Sequence, residues 1–372
     1  LLDAPRPGCA RLQVRSRDSP IGPLEFVAAA GYDLEHQVFD ARGRRIPLGG
    51  GLAQFTVVRT STDWSVATGL DGVTLPGLRN WLSKFVTLPP DLAVEGRIDG
   101  RASLRGRESL DAGQLSLTLS RAGFSNEAGT TVGENLAVNF SAELAPAAGG
   151  AIGLTARIAS AGGQALAGPV LLDLGANPLV AQAQGQWRDG LLTLEQWRVD
   201  QLRLLQASGR AQLGFEDGKP LVRSATLELP RIEMPAAYTS FLQIALAATD
   251  FGTLDTSGTL AARIEVVDDA LRRVDADLDG LQLRDTRGRL WMKDLRGALH
   301  WAPAGAPKSA ASHLQWSEGG AYGLAGGAAR LEFAAQGLSF ALLKPTRLPI
   351  FDGAIAIRSL AVREAGTDRQ AL

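Results

Sequence analysis

The 372-residue chain has one cysteine, Cys9, and only three histidines, His36, His300 and His313. A single cysteine excludes an intrachain disulfide framework and a cysteine zinc site, and leaves the redox compartment open. Three histidines far apart in sequence supply little for a catalytic triad or a histidine metal centre. Aromatic residues make up 6% of the chain, which argues against the paired aromatic girdles of a transmembrane β-barrel. The formal net charge is -1, and the arginines are scattered among acids. The chain therefore lacks the basic field that nucleic acid requires, and no nucleic-acid partner is expected. No stretch approaches eighteen consecutive apolar residues, and no charged segment with an apolar core opens the chain. It begins Leu1-Leu2-Asp3 and ends Arg369-Gln370-Ala371-Leu372, and so reads as an internal piece of a longer protein.

What is present is a foldable composition, 45% hydrophobic and 21% charged, arranged with a period of two. Leu115, Leu117 and Leu119 alternate with Gln114, Ser116, Thr118 and Ser120, the pattern of a strand with one apolar and one polar face. The same pattern returns at Leu192 and Leu194, at Ala225, Leu227 and Leu229, at Val274, Ala276 and Leu278, at Leu299 and Trp301, and at Ile355 and Ile357. Six Asp-Gly pairs punctuate these runs, at 71–72, 99–100, 189–190, 217–218, 279–280 and 352–353. Such pairs favour tight hairpin turns because both residues tolerate positive φ. The expected fold is mainly β, a long antiparallel meander of strand, turn and strand without a fixed sequence period.

Two segments have helical spacing instead. Leu78, Trp81, Leu82 and Phe85 predict a short amphipathic helix from Pro76 to Val86, stopped before Pro89-Pro90. Tyr238, Phe241, Leu242 and Ala245 predict a second from Pro235 to about Thr249. Either helix could cover the sheet or close a groove. The expected organisation is an N-terminal β segment with a helix at 1–90, a repetitive β segment at 91–234, the second helix at 235–252, and further β repeat at 253–372. Pro146 to Gly150 and Pro303 to Pro307 read as loops too short for tethers.

The chain contains no G-x-S-x-G, P-loop, H-E-x-x-H or C-x-x-C sequence, so no catalytic residue, metal ligand or cofactor is assigned. Gly49-Gly50-Gly51 lacks the Lys-Ser/Thr of a phosphate loop and reads as a turn. Asp275-Ala276-Asp277-Leu278-Asp279-Gly280 matches the opening of a calcium loop, but the position that needs a bidentate Glu is Thr286. A strand with three solvent-facing aspartates and an Asp-Gly turn accounts for the same residues. His300, alternating beside Trp301, reads as a packed or half-exposed histidine. Asn139-Phe140-Ser141 fits a glycosylation sequon, a short pattern that recurs by chance.

Leu254-Asp255-Thr256-Ser257-Gly258-Thr259-Leu260-Ala261, following a helix with Tyr238 and Phe241-Leu242, resembles the AsmA-like envelope protein family, the TamB, YhdP and YdbH types. In these a short helix precedes a strand that opens Ser-Gly-x-Leu. Pro349-Ile350-Phe351-Asp352-Gly353-Ala354-Ile355-Ala356-Ile357, followed by Leu360 and Val362, resembles the recurring Phe-Asp-Gly phrase of the same family. The likeness runs in style over residues 90 to 362. It implies an extended, twisted, U-shaped β-groove in the Gram-negative periplasm, anchored at the inner membrane and moving phospholipid towards the outer membrane. The family's N-terminal membrane helix and complete C-terminal domain have no counterpart in this sequence.

The residues and the resemblance converge on a non-catalytic groove whose apolar face holds phospholipid acyl chains, with contacts to the two membranes made by parts outside the chain. Candidate lining residues are Leu115, Leu117, Leu119, Leu192, Leu194, Leu227, Leu229, Val274, Leu278, Ile355 and Ile357. The alternative for each is packing in a closed sandwich core. At the level of function the alternative is a structural or assembly module of the cell envelope. A secreted β-solenoid fits the arginine and leucine content less well, and an enzyme would have to rely on isolated carboxylates such as Asp268-Asp269.

Overall fold

The computed structural model describes residues 9–16, 24–83, 91–168, 170–202, 204–216, 219–247, 252–307 and 310–363. It divides into two compact units, Leu1–Asp189 and Gly190–Leu372. Both are built mostly of strands.

Unit 1 contains β1 (Cys9–Ser16), β2 (Leu24–Asp33), β3 (Val38–Leu48), β4 (Gly51–Arg59), β5 (Trp64–Thr74), the helix α1 (Leu75–Leu82), β6 (Ala93–Gly106), β7 (Leu110–Ser125), β8 (Thr131–Pro146), β9 (Ile152–Ala167), β10 (Val170–Asp173) and β11 (Leu179–Arg188). Each strand from β1 to β9 pairs antiparallel with the next, and β10 and β11 both pair with β9. Among the described residues no ladder joins β1 to β10 or β11, so the sheet is open and not a barrel.

Unit 2 contains β12 (Leu191–Gln201), β13 (Leu205–Glu216), β14 (Lys219–Met234), a π-helical turn (Tyr238–Leu242) running into α2 (Gln243–Leu246), β15 (Leu254–Val267), β16 (Ala270–Asp285) and β17 (Leu290–Ala302). Shorter strands follow: β18 (Ser312–Trp316), β19 (Glu318–Ala321), β20 (Leu324–Gly326), β21 (Ala329–Gln336), β22 (Ser339–Leu342), β23 (Thr346–Ile350), β24 (Gly353–Ile357) and β25 (Ala361–Val362). From β12 to β17 the order is again an antiparallel meander. The simple meander ends there. β17 is longer than the strands after it, so β18 and β19 share its edge, and its last residues pair in parallel with β21.

The Asp-Gly pairs do several jobs. Asp189 and Gly190, both with positive φ (51° and 78°), form a true two-residue turn of the kind expected for a hairpin. Asp71-Gly72 and Asp279-Gly280 lie instead inside β5 and β16, at register shifts where one strand carries an extra residue. Asp99-Gly100 lies on β6 opposite the β5 bulge, where Asp99 accepts from the Gly72 amide at 2.6 Å, and the last hairpin turns on Phe351-Asp352, one residue earlier than expected. Residues 217–218 lie outside the described residues.

The bulges are aligned from strand to strand. Gly72, Gly96, Arg121, Asn135 and Gly163, all with positive φ, sit on β5 to β9 at or beside the register shifts of those ladders. A bulge bends its own strand, and bulges in register crease the whole sheet. Leu119 and Val138 before the crease, and Phe124 and Ala165 beyond it, pack around Ala122, Leu136 and Leu174. The apolar face is therefore the inner side of the bend. Leu75 of α1 joins this cluster, which places the helix over the crease.

Unit 2 repeats the device. Gly258 has φ 104°, as Gly96 has φ 103°, and each follows a helix and opens a long strand. A Cβ on Gly96 would lie 2.5 Å from the Arg121 carbonyl oxygen, and one on Gly258 would lie 2.7 Å from that of Gly280. The next residues, Ala122 and Leu281, are both buried. A helix followed by a strand whose positive-φ glycine faces a bulge on the next strand thus recurs in both units.

The helices are shorter than their sequence patterns. α1 starts on its N-cap Thr74, whose hydroxyl accepts from the Gly77 amide, with Pro76 in the first turn; Phe85 lies outside the described residues. The second helix opens with a π-helical turn, whose extra residue rotates the face. Tyr238 is consequently buried while Leu242 is exposed, and residues 248–251 lie outside the described residues.

Thr74 also donates from its hydroxyl to the Gly49 carbonyl at 2.6 Å, so the glycine run is the β3–β4 turn against which α1 rests. Gly77 packs so closely that a Cβ there would overlap the Gly49 backbone. Gly77→Ala should therefore lower stability by about 1–3 kcal/mol. In urea unfolding this should appear as a lower midpoint at unchanged slope.

Candidate functional site

Directly paired residues of neighbouring strands share a face, so the registers define rows that cross the sheet. On β4 to β9 one row is Val57, Val66, Leu104, Gly113, Leu144 and Leu154. The next is Phe55, Thr68, Ala102, Leu115, Ala142 and Ala156, and a third is Ala53, Leu70, Gly100, Leu117, Phe140 and Ile158. Leu119 lies in a fourth, between Ile98 and Val138. Leu115, Leu117 and Leu119 thus belong to one apolar field six strands wide.

Unit 2 builds the same kind of field. Leu192 stands opposite Leu213, and Leu194 opposite Ala211, itself opposite Ala225. Leu227 pairs with Ile264, which pairs with Val274, which pairs with Trp301. Leu229 faces Ala262, and Leu278 faces Leu260. Ile355 and Ile357 are apart from these rows, on β24, which pairs only with β23 among the described residues.

None of the eleven candidate residues is buried: ten are half-buried and Ile355 is exposed. Only fifteen apolar residues of the described part are buried, so the leucines do not form a closed sandwich core. A face residue occupies roughly 30 Å² of sheet, so three rows on six strands and the three residues of the fourth make an apolar field on the order of 600 Å².

Small residues set the relief of this field. Gly43 lies beneath Phe55, Gly100 beneath Leu117, and Gly113 between Leu104 and Leu144. Phe55, Phe140 and Ile264 are members of the apolar field that the alternation within single strands did not single out, and Trp301, which it did, stands in the row of Leu227, Ile264 and Val274. Their membership depends on cross-strand register, which a strand's own sequence does not state.

The opposite face is polar. In unit 1 a furrow of about 850 Å³ runs between a ladder of Thr56, Ser103, Gln114, Glu143 and Thr155 and one of Gln54, Arg101, Ser116, Ser141 and Arg157. Between the two ladders it is lined by Phe55, Thr68, Ala102, Leu115, Ala142 and Ala156 of the second row, and it does not touch Leu104 or Leu117. In unit 2 the polar face carries a charge ladder. Arg263 donates to Glu228 at 3.2 Å, Arg273 donates to Asp275 at 2.6 Å, and His300 Nδ1 lies 2.7 Å from Asp275 Oδ1. Burial pushes the Asp275 carboxyl up, and the hydrogen bonds from His300 and Arg273 outweigh it, for a net lowering.

Asp275, Asp277 and Asp279 stand at alternate positions of β16, about 7 Å apart along the strand, and so do not converge as a calcium loop does. Asp279 lies 3.7 Å from Arg296. Among the described residues no three metal-binding side chains cluster, and no helix is long and apolar enough to cross a membrane.

One acid is fully enclosed. Asp285, 1% exposed, accepts from Arg289 Nε at 2.7 Å, from the Arg289 amide at 3.1 Å and from the Thr253 hydroxyl at 3.1 Å. It holds the β16–β17 turn. No family model matches the chain, and neither a curated protein nor a solved structure matches it.

The Arg289 hydrogen bonds keep the Asp285 carboxyl well below the usual carboxylate range. A lowered folded-state pKa stabilises the fold above the unfolded value, and that stabilisation is lost as pH falls through the folded one. Asp285→Asn should therefore be less stable than the parent at neutral pH. Urea unfolding across pH should show a constant gap down to about pH 5 that narrows below about pH 4.

Proposed function

We propose that the chain is a non-catalytic, lipid-conducting module in which acyl chains lie along the apolar faces of the two units. One observation carries this reading: an apolar field of sheet that is creased inward, half-exposed, and covered by no second layer among the described residues. Such a surface needs an apolar occupant, and each methylene it shields contributes about 0.8 kcal/mol. The field supplies little polar chemistry. Thr68 and Ser160 are its few hydroxyls on β5 to β9, and the Ser160 hydroxyl already donates to the Ala137 carbonyl. A chain held by such rows is retained by contact area alone and can slide along them.

The polar reverse face, with its ladders of Ser, Thr, Gln and Arg, suits a wall bathed in water. Phospholipid is the occupant favoured by the sequence resemblance to AsmA-like proteins, and a periplasmic setting between two membranes follows from the same resemblance. Both belong to this proposal.

The test is native mass spectrometry with lipid extraction on the purified chain. The parent should carry one or more phospholipids, and Leu117→Asp should carry fewer while unfolding at a urea midpoint close to the parent's. A parent free of lipid would reject the reading in favour of a structural or assembly role. Collapse of the fold in Leu117→Asp would return that leucine to a core.

A further inference from the structure

At one end of unit 2 three turns lie side by side. Met292 of β17, Gly319 of β19, Gly326 of β20, Ile350 of β23 and Gly353 of β24 are successive register partners. From that row the β16–β17, β19–β20 and β23–β24 connections all leave in the same direction. The Tyr322 amide donates to the Arg289 carbonyl at 2.8 Å, which ties the second turn to the first.

The tips of these turns carry unusual residues. Tyr322 is 76% exposed and Phe351 80% exposed, with Leu324 between them at 48%. Tyr322 and Phe351 have φ of 50° and 51°, a conformation that Gly, Asn or Asp adopts with less strain than an aromatic residue. Turn formation therefore does not explain the aromatics, and neither ring is covered by the fold. Phe351 sits roughly two residues, about 7 Å, behind Tyr322 along the strand direction, so the tips form a stepped apolar edge. Arg287 is exposed on the adjacent turn. Of the acids nearby, Asp285 is held by Arg289, and Asp352 alone stands at the tips.

We propose that this edge seats on the surface of a bilayer containing anionic lipid, with Tyr322, Leu324 and Phe351 entering the headgroup region and Arg287 meeting the lipid charge. Amphipathic rings settle at that depth, where one end is apolar and the other wet, and a neighbouring cation adds attraction to anionic headgroups. The proposal concerns a surface separate from the leucine rows and stands without the acyl-chain reading.

Flotation of the full 372-residue chain with vesicles tests it. The parent should float with mixed phosphatidylglycerol and phosphatidylethanolamine, and much less with phosphatidylcholine alone. The Tyr322→Ser/Phe351→Ser double variant should bind the anionic vesicles on the order of tenfold less, and Arg287→Glu several-fold less, with parental melting and unchanged copurified lipid. A parent that does not float overturns the proposal, as does a folded double variant that floats like the parent. Self-association of the parent, lost in the double variant and without vesicle binding, would overturn it in favour of a second copy as the partner.

Discussion

Everything in this protein depends on the coupling between the two-residue period of a strand and the register of its ladder. A strand with alternate leucines has two faces wherever it lies, but its apolar positions form a continuous field only if each neighbour pairs in phase. A slip of one residue would turn every apolar residue of that strand to the water side. In β6 to β9 the phase is kept across four long strands despite bulges in every ladder. The bulges fall beside one another, with the extra residues of β5, β7, β8 and β9 at one level. The crease and the preserved phase are one property, and the inward turn of the apolar face follows from both.

Much of this was legible in the sequence. Alternating leucines gave the strands, and their abundance gave the meander. The lining residues Leu115, Leu117 and Leu119 were visible because their strand carries large side chains at three successive apolar positions. Phe55 was not, because its row includes Gly43 and Ala102, which carry no hydrophobic signal of their own, and Phe140 was not, because its place between Leu117 and Ile158 depends on register. Relief across the sheet comes from pairing a large residue on one strand with a small one on the next, and one-dimensional periodicity does not register that. Of the described Asp-Gly pairs only Asp189-Gly190 is the expected two-residue turn; Asp71-Gly72 and Asp279-Gly280 place a positive-φ glycine in a bulge, and the other two have no positive φ. A bulge needs the same backbone freedom as a hairpin, and only the length of the ladder on either side separates them.

The repeat of the crease shows why a short sequence phrase can be specific. In Ser257-Gly258-Thr259-Leu260 the glycine is required by φ 104° and by the close passage of the Gly280 carbonyl. The leucine two residues on returns the strand to the apolar rows opposite Leu278. Unit 1 meets the same demand with Glu95-Gly96-Arg97-Ile98, where Ile98 stands opposite Leu119. The residues flanking the glycine point to solvent and are free to differ. Two segments with only a glycine and a following aliphatic residue in common therefore make the same bend, and no fixed sequence period is visible between them.

A half-exposed apolar field is costly to maintain unless something lies on it. In water such a surface associates with other apolar surfaces, and an open sheet adds the hazard of unpaired strand edges. Natural β proteins escape by closing into a barrel or by adding a second sheet. This chain does neither among its described residues; its helices are short, and α1 sits at the crease. On the proposed reading the field is covered from outside the strands, and its own chemistry restricts what can cover it. An occupant that needed hydrogen bonds would find few partners on rows of leucine, alanine, valine and glycine. One that needed a fixed pose would find small and large residues mixed without a closed pocket. Flexible hydrocarbon meets neither difficulty, since it is held by area and conforms to relief. On this reading selectivity does not reside in the lining at all, but at the ends of the rows, where a polar headgroup would meet the crease and its helix.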